Sequence, residues 1–128
     1  MERLTEMADE TTGAIELQPA EAARLVESGD AQLVDVRAAS EHAAGHIAGA
    51  RHLPLERLDA EADELDRDRP VVFYCRGGER SGMAAEAFRN SGWDAHNVSG
   101  GLVAWVEGGL PLEPADGRVA ERDALPPA

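Results

Sequence analysis

The 128-residue chain predicts an α/β fold in which helices cover a mostly parallel sheet. Three observations predict it. Short apolar runs alternate with amphipathic stretches, the order expected of strand-helix units. The run VVFY at 71–74 is apolar without interruption, as in a strand whose two faces are both covered. The composition, 43% hydrophobic but only 4% aromatic, suits one aliphatic core of ordinary size.

Each element follows in chain order. Residues 1–12 are polar, carry no sustained apolar period and read as a disordered tail. AIEL at 14–17 reads as the first strand. Pro19, a residue favoured in a first turn, opens a helix in which Ala22, Leu25 and Val26 share one face, and Gly29 stops it. LVDV at 33–36 is the next strand. In LERLDAEADEL (55–65), Leu55, Leu58, Ala62 and Leu65 form an apolar stripe while the acids face water. VVFY follows, then a helix with Met83, Ala84, Ala87 and Phe88 on its inner face and Gly92 at its end. WDAHNV at 93–98 is a strand by its position more than by its composition. Leu102, Trp105 and Val106 belong to a last short helix. Residues 114–128 are polar and proline-rich and read as a second disordered tail, so the folded body is one domain spanning 13–113.

Charge excludes several functions. With 25 acidic and 12 basic residues the formal net charge is −13, which repels phosphate backbones and anionic lipid. Neither nucleic acid nor membrane is expected as a partner. No apolar run approaches the roughly 20 residues of a membrane span, and the acidic opening MERLTEMADETTG does not look like a secretory signal, so a cytoplasmic location is expected. All twelve cations are arginine, which removes Walker-type phosphate loops and Schiff-base chemistry. The single cysteine removes internal disulfides, Cys-x-x-Cys redox pairs and multi-thiolate zinc sites.

That cysteine is the candidate nucleophile. Ligands bind beyond the carboxyl ends of parallel strands, and Cys75 stands there, directly after VVFY. Arg76, Gly77, Gly78, Glu79 and Arg80 make a turn in which two glycines permit unusual backbone conformations, and Ser81 is a candidate N-cap for the helix beyond. Such a turn aims N–H groups inward, and the helix terminus adds partial positive charge. Both suit an anion, and a thiol beside arginines at a helix N-terminus is expected to be largely ionised at neutral pH. A buried filler cysteine would not need two cations and two glycines after it.

From Ala14 to Glu113 the sequence resembles the rhodanese-like sulfurtransferases. Three ordered matches carry the resemblance: LVDVRAASEHAAGHIAGARHLPL at 33–55, with Asp-Val-Arg, a downstream Glu, Gly-His-Ile and Gly-Ala; CRGGERSG after VVFY; and GGLVAWVEGGLPL near the end. It implies a five-stranded parallel sheet with helices on both faces and a Cys75 that carries sulfur as a persulfide, with no metal or organic cofactor. A sulfane donor such as thiosulfate would load Cys75, and cyanide or a thiol would unload it in a ping-pong reaction. Backbone N–H groups from Arg76 to Ser81 would hold the persulfide, and Arg76 and Arg80 are candidates to grip the donor's oxygens. Because Cys75 and Glu79 cancel the two arginines and the whole chain is acidic, thiosulfate is expected to bind only modestly.

Alternatives stay open beside this one. The donor and acceptor could be proteins, which would make the chain a relay or binding module. Phosphatases and arsenate reductases of the same fold resemble Cys-x5-Arg, whereas Cys75 to Arg80 is Cys-x4-Arg, and Tyr74 stands where those phosphatases tend to have His. Asp35 and Arg37 end their strand as supporting residues, and a structural role with Arg37 paired to Glu41 is preferred over a catalytic one. His46 reads as a satisfied structural histidine. His42, His52 and His96 lack metal-ligand spacing. Gly100 and Gly101 read as a turn before the last helix.

Overall fold

The computed structural model describes residues 14–121. Five parallel strands form one sheet in the order β1-β5-β4-β2-β3: β1 Glu16–Leu17, β2 Gln32–Asp35, β3 Arg51–His52, β4 Val71–Tyr74 and β5 Ala95–Val98. Between them run α1 Pro19–Glu27, α2 Ala39–Ala44, α3 Leu55–Glu61 with a 3₁₀ turn at Ala62–Glu64, and α4 Glu79–Asn90; α5 Gly101–Glu107 follows β5. Parallel strands need crossovers, and the helices supply them on both faces. Among the described residues no helix is long and apolar enough to cross a membrane.

β4 sits at the centre and explains its own composition. Val71, Phe73 and Cys75 join one core cluster with Leu58, Ala84, Ala85 and Phe88, while Val72 and Tyr74 join the other with Leu17, Ala22, Leu102 and Trp105. Alternate residues of a strand face opposite ways, so an unbroken apolar run is what two covered faces require.

Three helix expectations need adjustment. The α4 stripe is Ser81, Ala84, Ala85 and Phe88, and Met83 is 61% exposed. Ser81 is drawn inward by polar partners described below, and that sets the phase of the helix. The helix from Leu55 stops at Glu61 and tightens into the 3₁₀ turn, and in α5 Leu102 and Trp105 are buried while Val106 is 40% exposed. The two-residue β3 carries no sequence signal of its own. It exists because Val34 and Asp35 of β2 offer it a register against Arg51 and His52.

The expected N-terminal tail, 1–12, and residues 122–128 of the C-terminal one lie outside the described residues. Residues 114–121 are described and follow the surface of the domain. The Arg118 amide donates to the Ala44 carbonyl at 2.9 Å, and Arg76 Nε donates to the Ala120 carbonyl at 3.1 Å.

Candidate active site

Leaving β4, the chain turns through 76–78 and enters α4. Gly78, at φ +104°, is the residue immediately before the helix, so Ser81 lies within the first turn and is not the N-cap. The left-handed conformation at Gly78 costs a glycine little. It also lets the loop turn its amides toward Cys75. Gly78 N–H reaches Cys75 Sγ at 3.1 Å, Ser81 N–H at 3.4 Å, and Ser81 Oγ lies 3.3 Å from the same atom. The loop carbonyls are taken up on the other side, where Leu102 N–H binds the Cys75 carbonyl at 2.9 Å and Val103 N–H the Arg76 carbonyl at 3.0 Å. Gly101, φ +64°, permits this approach, since a Cβ there would stand 2.7 Å from the Cys75 carbonyl oxygen. The Gly100-Gly101 pair is therefore part of the site's scaffold as well as a turn.

Cys75 itself is fully buried, yet its sulfur faces donors. A sulfur that merely filled the core would not collect amides. Two clefts of about 410 and 480 Å³ lie away from it, near the N-terminal ends of the strands, where Pro70 and Asp94 line one and Gln32 and Arg69 the other. The amides gathered around Cys75 form a small nest suited to an anion.

The ion pairs differ from those expected. Arg37 does not pair with Glu41. Its Nε and Nη2 bind the two oxygens of Asp35 at 2.8 and 2.7 Å, and Nη2 also binds the Gly45 carbonyl at 2.8 Å. Two residues apart and both buried, Asp35 and Arg37 close a bidentate pair at the end of β2. Glu41 instead reaches Arg80 in the first turn of α4, each carboxylate oxygen meeting one guanidinium nitrogen at 3.0 Å. Arg80 is thereby pinned to α2 by both terminal nitrogens.

These pairs set the ionisation of their members. Burial pushes the Asp35 carboxyl up, but Arg37 and His42 outweigh it and hold the group below its ordinary value. Burial acts likewise on Glu41, and the Arg80 hydrogen bonds with the Ala38 amide outweigh it in the same direction. Arg80 is raised, first by its hydrogen bonds to Glu41, against the opposing effect of burial. Tyr74, buried beneath the Arg37 guanidinium, has its hydroxyl pushed up by burial.

Other polar residues fall into place around this centre. Ser81 Oγ lies 2.6 Å from Asn97 Oδ1, and Asn97 Nδ2 donates to the Glu16 carboxylate and to the Gly78 carbonyl. Neither Asn97 nor Glu16 carries a sequence signal for this role; only the register Glu16↔Asn97 across β1 and β5 brings them together. His96, on the opposite face of β5, is held by Asp94 and the Ala14 carbonyl. His46 is satisfied by the His42 carbonyl and stacks on the His42 ring at 4.0 Å, while His52 stacks on the other side at 4.5 Å. Burial lowers the pKa of His42 despite its bond to Asp35. Arg76 is the less constrained of the loop cations, its Nε on the Ala120 carbonyl and its Nη2 3.7 Å from Glu121.

The profile of the Rhodanese-like domain matches residues 18–108, nearly the whole of this architecture. The chain belongs to the rhodanese-like family. Among relatives in this family, the uncharacterized protein YqhL of Bacillus subtilis is 43% identical over 76 residues, which are 59% of this chain and 60% of that protein. The chain thus aligns with less than two thirds of YqhL. The thiosulfate sulfurtransferase GlpE of Actinobacillus pleuropneumoniae is 35% identical over 101 residues, covering 78% of this chain and 94% of that one. A rhodanese-related protein from Thermoplasma volcanium superposes with a TM-score of 0.71 at 28% identity, over 76% of this chain and 95% of its own.

Proposed function

We propose that this protein is a sulfurtransferase that carries sulfane sulfur as a persulfide on Cys75. The observation that supports this most directly is the convergence of the Gly78 and Ser81 amides on Cys75 Sγ. A tip that bears negative charge gains most from donors fixed in advance. The name of the GlpE relative agrees with thiosulfate as a donor.

The reaction balances without an added oxidant. The Cys75 thiolate attacks the outer sulfur of thiosulfate, an S–S bond forms, and the bond to the sulfonate sulfur breaks with its electron pair leaving on sulfite. Cyanide then attacks the terminal sulfur of the persulfide. A C–S bond forms, the S–S bond breaks, and the electron pair returns to Cys75 as thiolate. Arg76, the partly free cation of the loop, is suited to meet the sulfonate oxygens. Arg80 instead holds the loop in shape through Glu41.

Intact-protein mass spectrometry after thiosulfate treatment tests the reading. One added sulfur atom localised to Cys75, removed by cyanide and absent in Cys75→Ser, is the expected result. An unchanged mass with thiosulfate and with small-molecule persulfides alike overturns it.

A further inference from the structure

One hydroxyl proton is contested at this site. Ser81 Oγ stands 3.3 Å from Cys75 Sγ and 2.6 Å from Asn97 Oδ1, and a hydroxyl can donate to only one of them at a time. Which one wins depends on how the Asn97 amide faces. Its nitrogen lies against acceptors only: the two oxygens of Glu16, each at 3.1 Å, and the Gly78 carbonyl at 3.2 Å. The oxygen must then face Ser81, where it claims the hydroxyl proton across the shorter contact.

We infer that Glu16, an exposed residue of the edge strand β1, is a positioning residue that withholds the Ser81 hydroxyl from the Cys75 sulfur by locking the Asn97 amide. With the lock closed, the thiolate is held by the Gly78 and Ser81 amides alone. Ser81 Oγ offers the sulfur a lone pair, which favours the protonated thiol. With Glu16 removed, the Gly78 carbonyl at 3.2 Å is the one described acceptor left to the amide nitrogen, so the hold on the amide is weakened: it can rotate, its nitrogen can donate to Ser81 Oγ, and the hydroxyl can turn to the sulfur. Glu16 would thus deny the Cys75 sulfur a hydrogen-bond donor that its surroundings could supply, from a position with no contact to the sulfur. Family membership does not announce this, because the match begins at residue 18, after Glu16. The other charges acting at the site are Arg80 and its partner Glu41, with Glu79 and Arg76 on the loop, and none of them touches Asn97 among the contacts described.

The inference rests on Cys75 being the reacting sulfur of the proposed function, but its test does not use sulfur transfer. The rate of Cys75 alkylation by iodoacetamide is followed against pH in the full chain, and the midpoint reports thiol ionisation. Glu16→Ala is expected to lower that midpoint by about half a pH unit, close to threefold in alkylation rate below it, as befits one partial hydrogen bond gained by the thiolate. In a Ser81→Ala background the same substitution should shift nothing, because the hydroxyl that transmits it is gone. An equal shift in both backgrounds would mean that Glu16 acts only as a distant negative charge and would overturn the inference, as would no shift or a rise.

Should Ser81→Ala not fold, Asn97→Ala supplies a second cycle. It removes the competitor for the proton and should lower the midpoint by itself, with Glu16→Ala adding nothing further. A further drop overturns the inference here too. Persulfide formation measured separately distinguishes the outcomes: a thiol that titrates as described but gains no sulfur sinks the proposed function and leaves the lock standing.

Discussion

Arg76, on the turn after β4, and Arg80, in the first turn of α4, stand four residues apart and occupy opposite environments. Arg80 is clamped by both oxygens of a fully buried carboxylate from α2, whereas Arg76 is about one third exposed and leans on a backbone carbonyl near the end of the described chain. By residue type and spacing either one could receive an anionic donor. The difference lies in Glu41, 39 positions away from Arg80 in the chain, which ties one cation into the architecture and leaves the other partly exposed. A charge near a nucleophile is available only if no other element has claimed it.

Breaking the stronger pair should have the largest effect. Arg80→Ala leaves Glu41 buried without its partner, and removing one member of such a pair costs roughly 3–5 kcal/mol. Urea unfolding should show that loss, with sulfur transfer falling as the loop loses its anchor to α2. Arg80→Lys keeps the charge but not the two-pronged geometry and should recover only part of the stability.

Acid sharpens the same contrast. Glu41 and Asp35 both have folded-state pKa values below their ordinary ones, so the unfolded chain takes up protons first as pH falls. Their contribution to stability is complete above the ordinary carboxylate range and is lost as pH drops through the folded values. His42, whose pKa is also lowered, acts in the same direction starting nearer neutrality, since the unfolded imidazole protonates first. The urea midpoint should therefore decline from pH 7 toward pH 3. Glu41→Gln should start lower at pH 7 and decline less steeply; an identical slope would show that the Arg80 pair does not hold Glu41 ionised.

Arg76 should behave in the other way. Arg76→Ala is expected to leave stability within about 0.5 kcal/mol and to raise KM for thiosulfate about tenfold with kcat little changed, the signature of a lost binding contact. A loss of stability comparable to that of Arg80→Ala would erase the distinction drawn between the two. The smallest effect is ionic. Because the chain carries −13 overall, screening should lower KM for thiosulfate modestly as salt rises from low ionic strength, and a salt-independent KM would refute that repulsion.

Much of this fold was legible before any coordinates. VVFY, the Pro19 helix start and the alternation of strand and helix are local signals, and each marks an element found where expected. Cys75 was legible as the residue at the bend from strand to helix because two glycines and a helix start follow it directly. The partner of Arg37 was not. Asp35 and Glu41 are both within reach in sequence, and only the turn after β2, which folds the guanidinium back on its own strand, decides between them. Met83 faces outward for a related reason: Ser81 is held inside by Cys75 and Asn97, and a helix with one position fixed has its phase fixed throughout.

Local composition by itself determined that strands and helices alternate, that the central strand is buried on both sides, and that the sulfur lies where the chain bends into a helix. These follow from periodicity and turn chemistry, which act over a few residues. The tertiary structure alone decided who holds whom: Glu41 on Arg80, Glu16 on Asn97, α5 on the carbonyls behind Cys75. Such pairings join residues tens of positions apart, and strand register and helix phase, which no short window contains, bring their atoms within 3 Å or so of one another.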